Sequence, residues 1–120
     1  RNHSSAASDV YKRQVYETTA TAPPEELHRF FLACREDGFQ PARRRLRELL
    51  DRFGLAGTDL VNQLHRGLGD VPFLTEGQKL SVTQTMAEAD FRMVEGGGEA
   101  LQLDAMTARL CTLLSPEMKS

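Results

Sequence analysis

The sequence predicts an all-α fold, a bundle of five helices, and three observations carry that expectation. From Pro24 onward, apolar residues recur at the three- and four-residue spacing of a helix face in five separate segments. No segment alternates apolar and polar residues with the period of two that marks a half-buried strand. Glycine or proline stands between each segment and the next, where helices stop and chains turn.

The first helix is expected to open at Pro24, because proline at the first helical position gives up no hydrogen bond, and Glu25 and Glu26 suit the positive end of the helix. Leu27, Phe30, Phe31 and Cys34 form its apolar stripe, and Gly38 ends it. Pro41 opens a second helix with Ala42, Leu46, Leu49, Leu50 and Phe53 on one face, stopped by Gly54. Thr58 is placed to cap a third, whose apolar positions are Leu60, Val61, Leu64 and Leu68, with Gly69 and Pro72 closing it. Thr75 and Gln78 match a capping box, the threonine hydroxyl accepting from the Gln78 amide and the glutamine side chain reaching back. The long fourth helix that follows carries Leu80, Thr83, Met86, Ala87, Phe91 and Val94 at helical spacing and stops at Gly96, Gly97 and Gly98. The fifth, Leu101 to Leu114, presents Leu103, Met106, Leu110 and Leu113 ahead of Pro116. Short connections favour antiparallel packing of sequence neighbours.

At 120 residues the chain is one domain by size. An apolar share of 40% beside a charged share of 27% is that of an ordinary globule, with no tract long enough to cross a bilayer. A net charge of −2 supplies no global positive field toward nucleic acid or an anionic membrane. Cys34 and Cys111 lie far apart within apolar helical runs, as reduced residues of an intracellular protein do, and no stretch is ordered like a signal peptide. Residues 1–14 show no helical period, and residues 4–14 resemble translated sequencing-adapter read-through. They are expected to be a non-native or disordered leader, with the helical domain spanning 15–120 and the whole being a truncated gene fragment.

The search for chemistry finds little. The glycine run at 96–98 follows a helix rather than a strand and lacks the Lys-Ser/Thr of a nucleotide loop, so it reads as a helix end. His28 and His65 stand in no metal-ligand spacing, and Gln63 and Arg66 beside His65 point to a helix-surface or interface role. Neither cysteine has the partners of a nucleophile, and no serine occupies a Gly-x-Ser-x-Gly turn. Glu88 and Asp90 point in different directions on a helix, whereas Glu88 reaches Arg92 four residues on. The strongest charge feature is Arg43, Arg44, Arg45 and Arg47, which could grip phosphates. Pairing of Arg44 with Glu48 and of Arg47 with Asp51 is expected to answer much of that charge, and no aromatic residues interleave to stack bases.

Beyond these features, residues 15–114 resemble the C-terminal domain of replication factor C small subunits, particularly the archaeal type. The likeness runs through Val15-Tyr16 and Thr19, Pro24-Glu25-Glu26, Phe39, Ala42-Arg43, Leu49-Leu50, Gly54-Leu55-Ala56-Gly57 with Asp59, and Gln63-Leu64-His65-Arg66. It continues with Ala87-Glu88-Ala89-Asp90-Phe91-Arg92, Gly97, Glu99 and Leu101-Gln102-Leu103. Ala20 and Pro23 depart from the expected pattern.

The resemblance implies a helical collar domain through which clamp-loader subunits join into a ring, identical or not, that opens a sliding clamp and places it on primer-template DNA. It implies no catalytic residue, metal or cofactor in this chain. ATP and Mg²⁺ would belong to an upstream ATPase part, whose nucleotide-loop motifs this sequence lacks. The implied place is the cytoplasm of an archaeon or the nucleus of a eukaryote, away from membranes. Matching polar residues, namely Asp59, Gln63, His65, Asp90, Arg92, Glu99 and Gln102, are the candidates for the subunit interface, pairing across a ring or capping loops internally. The rival reading is a free-standing helical nucleic-acid-binding module using the arginines at 43–47.

Overall fold

The structure, a computed structural model, describes residues 21–116. The expected leader at 1–14 and the segment 15–20 lie outside the described residues. Within them stand five helices and no strand: α1 (Pro24–Glu36), α2 (Phe39–Phe53), α3 (Gly57–Gly67) with a single 3-10 turn (Leu68–Asp70), α4 (Glu76–Val94) and α5 (Glu99–Leu114).

Most boundaries follow the local chemistry. Pro24 opens α1 and Glu25 and Glu26 occupy its first turn. Gly38, at φ +96°, donates to the Ala33 carbonyl at 3.2 Å and thereby closes α1, a conformation that residues with a Cβ rarely adopt. The same residue precedes α2, which begins at Phe39 and not at Pro41. Proline is tolerated in the first turn because amide donors there lack intrahelical acceptors, so Pro41 does not mark the boundary. The capping box of α4 forms, with the Gln78 amide donating to Thr75 Oγ1 at 3.1 Å and the Thr75 amide to Gln78 Oε1 at 2.9 Å. At its other end, Gly97 N–H donates to the Arg92 carbonyl at 2.7 Å and Gly96 N–H to the Met93 carbonyl at 3.2 Å, with Gly96 at φ +105°. This doubly bonded helix end accounts for two of the three consecutive glycines.

The helices close around α5, which packs most extensively on α4, then on α1 and α2, and least on α3. Leu103, Met106, Leu110 and Leu114 meet Phe30, Phe31, Leu49, Leu60, Leu64 and Met86 in one continuous core. Each such side chain contributes on the order of 1.5–3 kcal/mol when withdrawn from water. Sequence neighbours pack as expected for α1 with α2, α3 with α4 and α4 with α5, whereas α2 and α3 have little contact and α1 takes that place beside α3. Thr107, fully buried on α5, satisfies its hydroxyl by donating to the Leu103 carbonyl at 2.8 Å.

Cys34 of α1 and Cys111 of α5 meet in this core as free, buried thiols. The hydrogen bond with Cys111, and after it burial, push the Cys34 thiol well above the ordinary range, while the same bond lowers Cys111.

The stripe expected on α4 requires correction. Of its six members only Met86 is buried; the inward face is Val82, Met86 and Ala89, with Met93 partly covered. Leu80, Phe91 and Val94 are 66%, 63% and 68% exposed. At about 100° per residue, Leu80, Ala87, Phe91 and Val94 form a second apolar stripe on the side of the helix opposite the first. Leu101, 68% exposed, extends the outward apolar surface beyond the glycine loop.

Candidate subunit interface

The outward stripe of α4 lies between two shallow grooves. One, of about 180 Å³ between α3 and α4, is lined by His65 and Asp90 together with Val61, Thr83 and Ala87. The other, of about 230 Å³ between α4 and α5, is lined by Glu88, Arg92, Gln102 and Arg109. The structure thus brings four of the seven candidate residues to the flanks of one apolar face: His65 and Asp90 on one side, Arg92 and Gln102 on the other. Arg92 is tied to Glu88 at 3.2 Å, the pairing expected from their spacing.

The remaining three stand elsewhere, and two act inside the domain. Gln63 is buried, and its Oε1 accepts the Ala22 amide at 2.8 Å, fastening the segment ahead of α1 to α3. Glu99, the first residue of α5, accepts the Gly57 amide on Oε1 at 3.0 Å. This explains why α3 begins at Gly57 and not after Thr58: Ala56 precedes the helix without a side-chain cap, and a carboxylate from another helix takes that place. Asp59 is exposed on the first turn of α3, where its charge suits the helix dipole.

The arginines of α2 are answered by acids, but not by those expected. Arg43 Nε and Arg47 Nη2 both reach Asp104 Oδ2 of α5, at 3.0 and 3.1 Å. Arg45 and Arg52 approach Glu26 of α1 at 3.8 and 3.4 Å, and Arg29 joins the same carboxylate at 3.3 Å. Arg43 and Arg47 are one turn apart and face α5, so a fixed acid on a packed helix reaches both, while Glu48 and Asp51 remain exposed. Of the four arginines at 43–47, Arg44 alone makes no ion pair among the described residues. The charge available for phosphates is correspondingly reduced. Among the described residues no group of three or more His, Cys, Asp or Glu is placed to hold a metal ion, and no helix is long and apolar enough to cross a membrane.

Residues 22–109, which include all five helices up to the last turns of α5, match the family model of the replication factor C C-terminal domain. The chain belongs to that family. Curated replication factor C small subunits are similar over most of it: that of Methanocella arvoryzae is 34% identical over 102 residues, covering 85% of this chain and 31% of the relative. That of Archaeoglobus fulgidus is 37% identical over 99 residues, with 82% and 31% covered, and that of Natronomonas pharaonis 37% over 101, with 84% and 31%. The chain therefore spans about a third of the length of these replication factor C relatives. The archaeal small-subunit likeness expected from the residues is found.

Sequence reasoning did not single out Leu80, Val94 and Leu101 as surface. The available signal was that α4 reads as apolar on two opposite sides, which an amphipathic helix with one buried face does not.

Proposed function

We propose that the chain is the C-terminal oligomerisation domain of a clamp-loader small subunit, a collar that holds ATPase modules in a ring for placing a sliding clamp on primed DNA. The observation that carries the reading is the second apolar stripe of α4. Leu80, Phe91 and Val94 are large, exposed and aligned, and a domain that functioned alone would gain by making them polar. His65 and Asp90 on one flank, and Arg92 and Gln102 on the other, give the stripe the polar rim expected of a protein contact.

In this reading the partners are other clamp-loader subunits, with clamp and DNA engaged by the assembled ring. ATP and Mg²⁺ belong to the ATPase modules, and the work of this chain is positional, in the cytoplasm if the source is archaeal. A stable contact takes about 800 Å² from each partner, so α4 must share the work with neighbouring surface from α3 and α5.

The test is the molar mass of the chain by sedimentation from micromolar to millimolar concentration, alone and mixed with the replication factor C small subunit of Archaeoglobus fulgidus. Self-association or co-assembly is expected, and the double variant Phe91→Asp, Val94→Asp is expected to remain folded and monomeric. Reversal of charge at Asp90 and Arg92 should weaken the same assembly. A chain that stays monomeric and joins no relative at any concentration refutes the assembly reading, and assembly unchanged by the double variant removes α4 from it.

A further inference from the structure

The assembly reading leaves one cluster of charged side chains unused, and the inference from it is independent of that reading. Glu26 of α1 is only 9% exposed, and a carboxylate so far withdrawn from water needs a cation beside it. One arginine would serve, yet three converge on it. Arg29 Nη1 lies 3.3 Å from Glu26 Oε2, Arg52 Nη2 3.4 Å from the same oxygen, and Arg45 Nη1 3.8 Å from Oε1. Arg29 stands one turn along α1, and Arg45 and Arg52 stand two turns apart on α2, so the packing of α1 on α2 gathers the group. Among the described residues no other acid lies within 4.0 Å of any of the three. The cluster therefore keeps an excess of two positive charges, and about fifteen N–H donors face a carboxylate with about four lone-pair sites. The arginine side chains are 60%, 37% and 56% exposed in chain order, so the unused donors are open to solvent. The Phe53 ring, 4.8 Å from the Arg52 guanidinium, braces one of them further. Asp37 and Glu48 line the groove on the far side of Arg45 and bound the cluster there.

We propose that Arg29, Arg45 and Arg52, gathered by Glu26, form a binding site for a phosphate group in its dianionic form, free or as a monoester. Two negative charges match the excess, and the planar guanidinium fork matches neighbouring phosphate oxygens. Glu26 holds the three side chains together before the ligand arrives, so binding does not bear the whole cost of ordering them. A phosphodiester brings one charge and fewer free oxygens, and leaves a positive charge unanswered, so the site selects against a nucleic-acid backbone. It is also distinct from the run of arginines at 43–47: Arg29 and Arg52 lie outside that run, while Arg43 and Arg47 belong to Asp104.

The 120-residue chain, labelled with nitrogen-15, is titrated at constant ionic strength with sodium phosphate, with glycerol phosphate, and with a thymidine oligonucleotide that has no terminal phosphate, against sodium chloride as reference. The arginine Nε–H signals are the readout. Those of Arg29, Arg45 and Arg52 are expected to shift and saturate with phosphate, and to respond less as acid removes the second charge, near about pH 6 for a monoester. Arg45→Gln or Arg52→Gln should weaken binding about tenfold or more. Arg109→Gln, which removes the same charge from the groove between α4 and α5, should leave it unchanged. A response to inorganic phosphate alone assigns the site to the free ion, and an equal response to glycerol phosphate assigns it to monoesters; either upholds the proposal. Signals that move no more than in chloride, an oligonucleotide bound as tightly as phosphate, or binding reduced as much by Arg109→Gln as by Arg45→Gln overturns it. The comparison among ligands uses the wild-type chain and stands even if a variant fails to fold.

Discussion

Gly57→Ala should destabilise the domain even though alanine is the better helix former, and it should do so through Glu99. A Cβ built on Gly57 would lie 2.7 Å from Glu99 Cγ and 3.0 Å from Met93 Sδ, inside van der Waals contact. The glutamate side chain can swing away, but it then releases the 3.0 Å hydrogen bond that caps α3. Loss of a helix N-cap costs about 0.5–2 kcal/mol, typically near 1. Against this, replacing glycine returns up to about 1 kcal/mol of helix propensity, less at the first position of a helix. Gly57→Ala should therefore cost about 0.5–1 kcal/mol and Glu99→Ala about 1. Because only one cap exists to lose and the gain in helix propensity remains, the double variant should cost slightly less than Glu99→Ala alone, a coupling of about 1 kcal/mol across the pair. Urea denaturation of the four proteins, read by helical circular dichroism, measures each value. Costs that add to within about 0.4 kcal/mol would show that the carboxylate does not cap α3.

Three further outcomes are expected. Met86→Ala should cost about 2–5 kcal/mol because it opens a hole in the core, while Phe91→Ala on the same helix should change the unfolding free energy of the monomer by less than about 0.5 kcal/mol; chemical denaturation at low concentration compares them. Gln63→Leu leaves the Ala22 amide without its acceptor and should cost about 1–3 kcal/mol, with faster hydrogen exchange at Ala22 as the local readout. Asp104→Asn removes the shared partner of Arg43 and Arg47, and since these groups are partly exposed the loss should be within about 1 kcal/mol and should shrink in high salt, checked by thermal midpoints at two salt concentrations.

The sequence shows local physics well and long-range physics poorly, and particular residues show where the line falls. Pro24, the Thr75–Gln78 box and the glycine run at 96–98 act within a few residues, and the boundaries they mark are found. The start of α3 is not legible locally because its cap is Glu99, forty-two positions away. The arginines of α2 were expected to pair along their own helix, yet Asp104 and Glu26 reach them from neighbouring helices. On α4 the period is legible in the sequence but the side is not: with apolar residues on both faces, periodicity cannot say which stripe meets α5 and which meets solvent. Of the interface candidates, His65, Asp90, Arg92 and Gln102 were legible only as a family likeness. That they flank a common apolar face is a fact of tertiary packing.

The position of α5 has a consequence for how the domain comes into being. A ribosome releases α1 through α4 before α5, yet α5 is the helix that all four others pack against. Until it emerges, Phe30, Leu49, Leu60 and Met86 lack the ridge that fills the space between them. The nascent chain must hold two packed helix pairs, α1 with α2 and α3 with α4, whose remaining apolar faces are still uncovered, a state that invites chaperones or aggregation. Native structure then arrives late and together, when the final helix threads its side chains into a cavity already waiting in outline. A stop codon between Gly96 and Glu99 should accordingly abolish the fold of everything before it and not merely shorten the bundle.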